Sequence, residues 1–248
     1  MPNQAPEQIV LSLTNTTSGR YAVFFAPCDQ SPLGHFGATV LRRKSTTADE
    51  WVNPEIAVNF DNTPVWRACI ERPAHYGFHA TIVAPFELHS DYTAQQLQDD
   101  LAEYCQSQRP LALTGLAPRL THRYDALAFD DQPPEIKQFA TRCVTRFEKY
   151  CAPLTAEDVH RRKKKVLTAA QKLNLQKHGY PYVFDDFNFH MTLSGTMPDD
   201  DNGFLRWLGV LYHQMVPDTP YIDRLCIFHQ PDRKSAFNRI AELPFPRQ

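Results

Sequence analysis

Glycine is scarce in this chain, with only 9 among 248 residues. Nucleotide sites that cradle phosphate on bare backbone need glycine, and neither a Rossmann Gly-x-Gly-x-x-Gly nor a P-loop Gly-x-x-x-x-Gly-Lys is present. The Gly-x-Ser-x-Gly nucleophile elbow is also missing. The six cysteines, at 28, 69, 105, 143, 151 and 226, never form Cys-x-x-Cys, which argues against a zinc clasp or a thioredoxin-type motif. They read instead as reduced, mostly buried small hydrophobes. No charge of one sign dominates: 26 Lys and Arg face 28 Asp and Glu, for a net charge of -2. The chain as a whole is therefore no polyanion coat, although a local basic cleft is compatible with it. No apolar run approaches a membrane span. Ile9-Val10-Leu11 is too short for a signal-peptide core, and the first basic residue is Arg20. The expected setting is the cytoplasm, with no membrane partner and no obligate protein partner. A chain this long, 42% hydrophobic and 22% charged, can bury a core without disulfides or a structural metal.

What is present suggests an α+β protein. Residues 1–18 read as a loose leader. Arg20 to Ala26 reads as a buried strand, and Ser31-Pro32 as a helix start whose apolar stripe is Leu33, Phe36, Gly37, Val40 and Leu41. Residues 45–74, with Pro54, Pro64 and Pro73, read as an extended loop. Strands are expected at Tyr76 to Phe86, Leu111 to Leu120, Tyr124 to Phe129, Val183 to Leu193, Tyr221 to His229 and Ala236 to Leu243. Helices are expected at Asp91 to Gln108, Pro134 to Tyr150, 155–178 and Asp199 to Gln214.

One short segment occurs twice. Tyr76-Gly77-Phe78-His79-Ala80-Thr81-Ile82 and Phe187-Asn188-Phe189-His190-Met191-Thr192-Leu193 both spell aromatic, any, Phe, His, any, Thr, aliphatic. Of the ten histidines, only these two are followed by x-Thr. On a strand, alternate residues share a face, so each copy sets its apolar residues against its His and Thr. A duplicated fold would bring the copies together around one site. His79 and His190 would then be two imidazoles able to move a proton from water to a leaving alkoxide, and either fits either role. Thr81 and Thr192 would offer neutral donors to phosphoryl oxygens.

With both His-x-Thr motifs and their hydrophobic flanks in place, the sequence resembles the 2H phosphoesterases. It is similar above all to a branch of proteins from phosphonate-utilisation operons. The resembling pieces are Arg20-Tyr21-Ala22, Tyr76 through Phe86, Leu167 to Gln171, Gly179 to Val183 and Phe189 through Gly195. The resemblance implies a single bilobal α+β domain over residues 1–248, with lobes near 19–121 and 122–248 related by a pseudo-two-fold. Antiparallel sheets would surround a central cleft. It further implies chemistry without a metal or other cofactor, on a small cyclic phosphodiester such as a phosphoribosyl cyclic phosphate. One departure is Val83, where the branch often has Lys. On a regular strand Val83 would share a face with Thr81, and a phosphate contact would be lost there.

Other features carry weaker signals. His75 and His79 are four apart, but Pro73 and strand character would separate their side chains too far for one ion, so no metal site is expected. Tyr180 and Tyr182 stand close before the second motif, and Tyr182 is a candidate substrate contact by stacking. The basic run Arg161 to Lys165 could bind phosphates, with a solvated helix face as the plainer reading. Two alternatives accompany the cyclic phosphodiesterase reading. One is an RNA-end enzyme acting on 2′,3′-cyclic or 2′-5′ linkages, with RNA ends as its partner. The other is a non-catalytic nucleotide or RNA-binding module, which the two complete His-x-Thr motifs disfavour.

Overall fold

The computed structural model describes residues 9–10, 18–46, 64–121, 124–162, 166–196 and 202–246. Ten strands and seven α-helices occur among them, in an α+β arrangement. In chain order the first elements are β1 (Ile9–Val10), β2 (Arg20–Phe25), α1 (Pro32–Leu41), α2 (Pro64–Tyr76), β3 (Ala80–Glu87) and α3 (Ala94–Gln106). Then come β4 (Leu111–Ala112), β5 (Ala117–Thr121), β6 (Tyr124–Ala128), α4 (Pro134–Phe147), α5 (Ala156–Arg162) and α6 (Ala169–His178). The last are β7 (His190–Thr196), α7 (Asn202–Met215), β8 (Tyr221–Ile222), β9 (Arg224–Gln230) and β10 (Asn238–Pro244).

Eight strands form one sheet in the order β1-β10-β9-β2-β3-β7-β6-β5, and its paired neighbours run antiparallel. β4 and β8 form a separate two-stranded ribbon. The order is balanced about the β3–β7 pair: β2 and β6 flank it, and β9 and β5 follow. The two spatial sides are not the two halves of the sequence. The late strands β9 and β10 lie beyond β2, and β5 lies beyond β6, so residue 121 sits at the tip of the β5–β6 hairpin.

Strand β2 shows how the sheet is held. Tyr21, Val23 and Phe25 point into the main core, while Ala22 and Phe24, joined by Ala26, belong to a second cluster with Cys226, Phe228 and Phe237. A strand covered on both faces must be apolar throughout, and this one is. Helices complete the main core. α1 begins as its Ser-Pro signal predicts, with the Ser31 hydroxyl accepting from the Gly34 N–H at 3.0 Å. α4 buries Ile136, Phe139, Ala140, Cys143, Val144 and Phe147 on one face. No disulfide joins the cysteines, and burial pushes the Cys143 thiol up to about 12.

Several local expectations change. The segment expected as a loop over 45–74 contains the helix α2, which runs to Tyr76; residues 47–63 lie outside the described residues. Pro64 takes the first helical position, which suits its fixed φ. Pro73 removes the donor to the Cys69 carbonyl, and that carbonyl turns toward β7 instead, 3.1 Å from where a Cβ on Gly195 would stand. Tyr76 and His75 are therefore helical, and Gly77 makes the turn into β3 with φ +75°. The single helix expected at 155–178 is two. Thr168 and Gln171 form a capping box that starts α6 afresh. The strand expected from Val183 starts only at His190, after a 3₁₀ turn at Phe184–Asp186. Ile9–Val10 of the expected leader pair with β10. The side chains of the basic run Arg161 to Lys165 lie outside the described residues.

Candidate active site

The two motif strands are neighbours at the middle of the sheet, where Ala80 pairs with Met191. Continued by one residue in each direction, that register would set His79 opposite Thr192 and Thr81 opposite His190. The two histidines would then be diagonal neighbours, a spacing of about 7–8 Å in an antiparallel pair and somewhat less between Cβ atoms. Apolar packing holds both strands in place. Phe78, Ala80, Phe189, Met191 and Leu193 all sit in the main core. Gly37 of α1 has no side chain because the Phe78 ring fills that space: a Cβ there would stand 1.9 Å from the ring.

Each imidazole is oriented in the same way. His79 Nδ1 donates to the Gly77 carbonyl at 2.8 Å, and His190 Nδ1 donates to the Asn188 carbonyl at 2.9 Å. A carbonyl can only accept, so each Nδ1 carries a hydrogen and each Nε2 is the nitrogen left to take or give a proton. The Thr81 hydroxyl lies 3.3 Å from His79 Nε2 and can donate to it.

The surroundings of the two rings differ. On β2 the residue paired with Thr81 is Phe24, whereas on β6 the residue paired with Thr192 is Ala126. The Phe24 ring stacks on His79 with centroids 3.9 Å apart and planes at 21°. Tyr76 stacks parallel at 6.4 Å and Phe228 lies at 6.1 Å. Among the described residues His190 has one such neighbour, Tyr124, at 6.1 Å. Burial accordingly pushes the His79 imidazolium down to about 4; the His190 charge adds to the fall, and the Gly77 carbonyl opposes it.

A cavity of about 370 Å³ opens over the motifs and is lined by His79, His190 and Thr192 together. Thr81 is not among its lining residues and remains behind His79 Nε2. Tyr180 lines the cavity, while Tyr182 meets the Tyr180 ring edge-on at 5.5 Å. Tyr76 and Tyr124 supply two further walls, and Arg72 supplies a cation. Ser194 and Thr196 continue the β7 wall. Ser194 is fully buried; its hydroxyl accepts from the Asp125 N–H and donates to the Asp125 carboxylate, both at 2.9 Å.

Sequence reasoning missed Arg72, Tyr76 and Tyr124 as wall residues. Arg72 and Tyr76 are four apart on α2, a spacing that aligns them on one helical face once the segment is known to be helical. Val83 proves different from expectation. Against β2 the register slips between Phe24↔Thr81 and Val23↔Val83, leaving Ile82 as an extra residue. This β-bulge puts Ile82 and Val83 both into the main core, with Val83 only 5% exposed. A side chain at 83 therefore does not share the face of Thr81, and no contact with the cavity is lost there. Among the described residues no group of three or more His, Cys, Asp or Glu could hold a metal ion, and no helix is long and apolar enough to cross a membrane.

The chain is similar to two curated proteins, each named ribose 1,5-bisphosphate phosphokinase PhnN. The protein from Janthinobacterium sp. (strain Marseille) is 31% identical over 201 residues, which is 80% of this chain and 44% of that protein. The protein from Laribacter hongkongensis (strain HLHK9) is 26% identical over 226 residues, 88% of this chain and 50% of that protein. The chain thus spans about half the length of the curated relatives it matches. Residues 81–238, which include Thr81 and the whole second motif, match the family model described as protein of unknown function (DUF1045), and the chain belongs to that family.

Proposed function

We propose that this chain is a phosphoesterase of the 2H type that opens a small cyclic phosphodiester and serves phosphonate metabolism. The observation that carries the reading is the matched pair of imidazoles. Both have Nδ1 tied to the carbonyl two residues back, and both line one cavity. That geometry is what two-histidine proton transfer needs.

The wall of Phe24, Tyr76 and Phe228 gives the two histidines different work. His79 is held neutral, so its Nε2 is the base that takes a proton from the attacking water. The water oxygen bonds to phosphorus, and the bond from phosphorus to the ring oxygen breaks. His190 is the acid and gives a proton from its Nε2 to the departing oxygen, which becomes a hydroxyl. The ring opens to a single product that carries one new hydroxyl and one phosphomonoester. Thr192, joined by Thr81 once it releases His79, donates to the non-bridging oxygens. A strained, monoanionic cyclic diester suits such a site, because neutral donors and two imidazoles offer little against the charge of a dianionic monoester.

The relatives' names favour a ribose substrate. Opening 5-phosphoribosyl 1,2-cyclic phosphate at its 2-oxygen yields ribose 1,5-bisphosphate, the compound in both names. The kinase step itself is not assigned to this chain, which has no P-loop to hold a nucleotide triphosphate. The test is turnover of 5-phosphoribosyl 1,2-cyclic phosphate beside nucleoside 2′,3′-cyclic phosphates. A specificity constant at least about tenfold higher for the sugar is expected. The reverse preference would transfer the site to RNA ends, and turnover of neither would end the phosphoesterase reading.

A further inference from the structure

We infer that Arg72 makes this site selective for a substrate bearing a second phosphate remote from the one that reacts. The inference rests on the phosphoesterase reading only in placing the reacting phosphate between His79 and His190.

Helix α2 lies along β7 because Gly195 lets the Cys69 carbonyl approach, and the Cys69 thiol lies 3.6 Å from the Thr196 carbonyl. Cys69, Arg72 and Tyr76 fall at i, i+3 and i+7, on one face of the helix. That face turns to the cavity, since Arg72 and Tyr76 both line it. Tyr76 stands against His79, with ring centroids 6.4 Å apart. Arg72 is one turn back along the helix, about 6 Å of axial rise. The cation therefore stands on the same wall as the aromatic neighbour of His79, one helical turn farther from the Gly77 turn that leads to that histidine.

The charge balance of the cavity supports an anion there. Among its described lining residues Arg72 is the one permanently charged side chain, and no carboxylate is present. Arg72 makes no hydrogen bond or ion pair among the described residues, and it is exposed. Arg43, beside the end of α2, is committed: it bonds the Ala74 and Phe237 carbonyls. A guanidinium left open on a cavity rim presents the planar fork that matches phosphate oxygens. Tyr76, Tyr124 and Tyr180 give the intervening space flat walls with polar tips, suited to a sugar. A cavity of about 370 Å³ is of the size that holds a small phosphorylated metabolite.

The test separates this inference from the reaction. Dissociation constants for ribose 1-phosphate and ribose 1,5-bisphosphate are measured by calorimetry on the wild-type chain, Arg72→Ala and Arg72→Lys. Wild type should bind the bisphosphate at least about tenfold tighter, the scale of one charge-assisted contact. Arg72→Ala should bring the ratio to about 1 while changing ribose 1-phosphate affinity less than about twofold. Arg72→Lys should keep part of the preference. A wild-type ratio near 1, no measurable binding of the bisphosphate, or an unchanged ratio in Arg72→Ala would each overturn the inference. Turnover of the two corresponding 1,2-cyclic phosphates is assayed separately. If neither is turned over yet the binding ratio collapses as expected, the phosphoesterase reading fails and Arg72 keeps its role. If turnover is seen and the ratio does not move, the opposite holds.

Discussion

Ala80 and Met191 face each other across the two central strands, and each is the middle residue of a His-x-Thr triplet. The pairing sets the site by register alone. A slip of one residue on either strand would turn a histidine and a threonine into the core and bring apolar side chains out in their place. The chemistry is therefore tied to the same contacts that hold the sheet together.

Removing either imidazole should lower turnover by about 10²–10⁴-fold, the usual scale for one acid–base group. The two variants should differ in stability. His79→Ala empties a space between stacked rings and should lower the melting temperature measurably, whereas His190→Ala, with a single aromatic neighbour, should leave it nearly unchanged. Calorimetric melting beside single-turnover rates checks both. Equal and full activity in either variant would remove that residue from the reaction.

The pH profile should be asymmetric. As a base His79 must be neutral, and burial pushes it down to about 4, so activity should rise with pH through about 4 and fall again when the acid partner loses its proton. Phe24→Leu takes away the stacked ring and should move the acid limb upward, toward the ordinary histidine value. Stability carries the same signature. Unfolded His79 binds a proton below about 6.5 that the folded chain refuses, so stability should fall as pH drops from about 6.5 to about 4, by up to about 3 kcal/mol. His79→Gln should remove that part of the acid sensitivity. A wild-type acid limb at the ordinary histidine value would take the base role from His79.

Exhaustive chelation should leave turnover intact. Both free nitrogens are needed for protons, and two imidazoles are fewer protein ligands than a catalytic zinc site uses. Loss of activity on dialysis against chelator, with recovery on adding a divalent ion, would replace this mechanism with another.

Gly195→Ala, in the β7 wall of the cavity, should damage the opposite wall by displacing α2. The new methyl would meet the Cys69 carbonyl at 3.1 Å, closer than ordinary contact, and α2 must give way. Because Arg72 and Tyr76 ride on that helix, the Michaelis constant should rise several-fold, with a stability cost of about 1–3 kcal/mol. Steady-state kinetics with a denaturation curve would show it; unchanged kinetics would mean that α2 does not hold the substrate.

The motif and its facing were legible because strand alternation is a strong local signal: Phe189, Met191 and Leu193 are core, and His190 and Thr192 face the cavity. The second wall was not legible. Helix α2 contains Pro64 and Pro73, which ordinarily punctuate loops, and its tolerance of Pro73 depends on Gly195, distant in sequence. With the helix unread, Arg72 and Tyr76 could not be placed on one face. Val83 failed for a different reason. Period-two counting assumes a regular ladder, and the bulge at Ile82 breaks it. The inequality of the histidines was also hidden, since it comes from Phe24 standing where the other side of the sheet has Ala126.

The crossing of late strands to the early side sets an order of events during synthesis. His79 leaves the ribosome 111 residues before His190. Yet its aromatic enclosure needs Phe228, and the cluster that includes Phe24 needs Phe237 as well. The carbonyl of His75, at the end of α2, likewise waits for the N–H of Phe237. The first motif to be made is thus the last to be completed. A nascent chain that stops short of β9 holds both histidines but leaves the outer edge of β2 unpaired, as an open template for other strands. Ribosome-bound chains halted after β7 should accordingly be protease-sensitive around β2, and protection should arrive only with the final two strands.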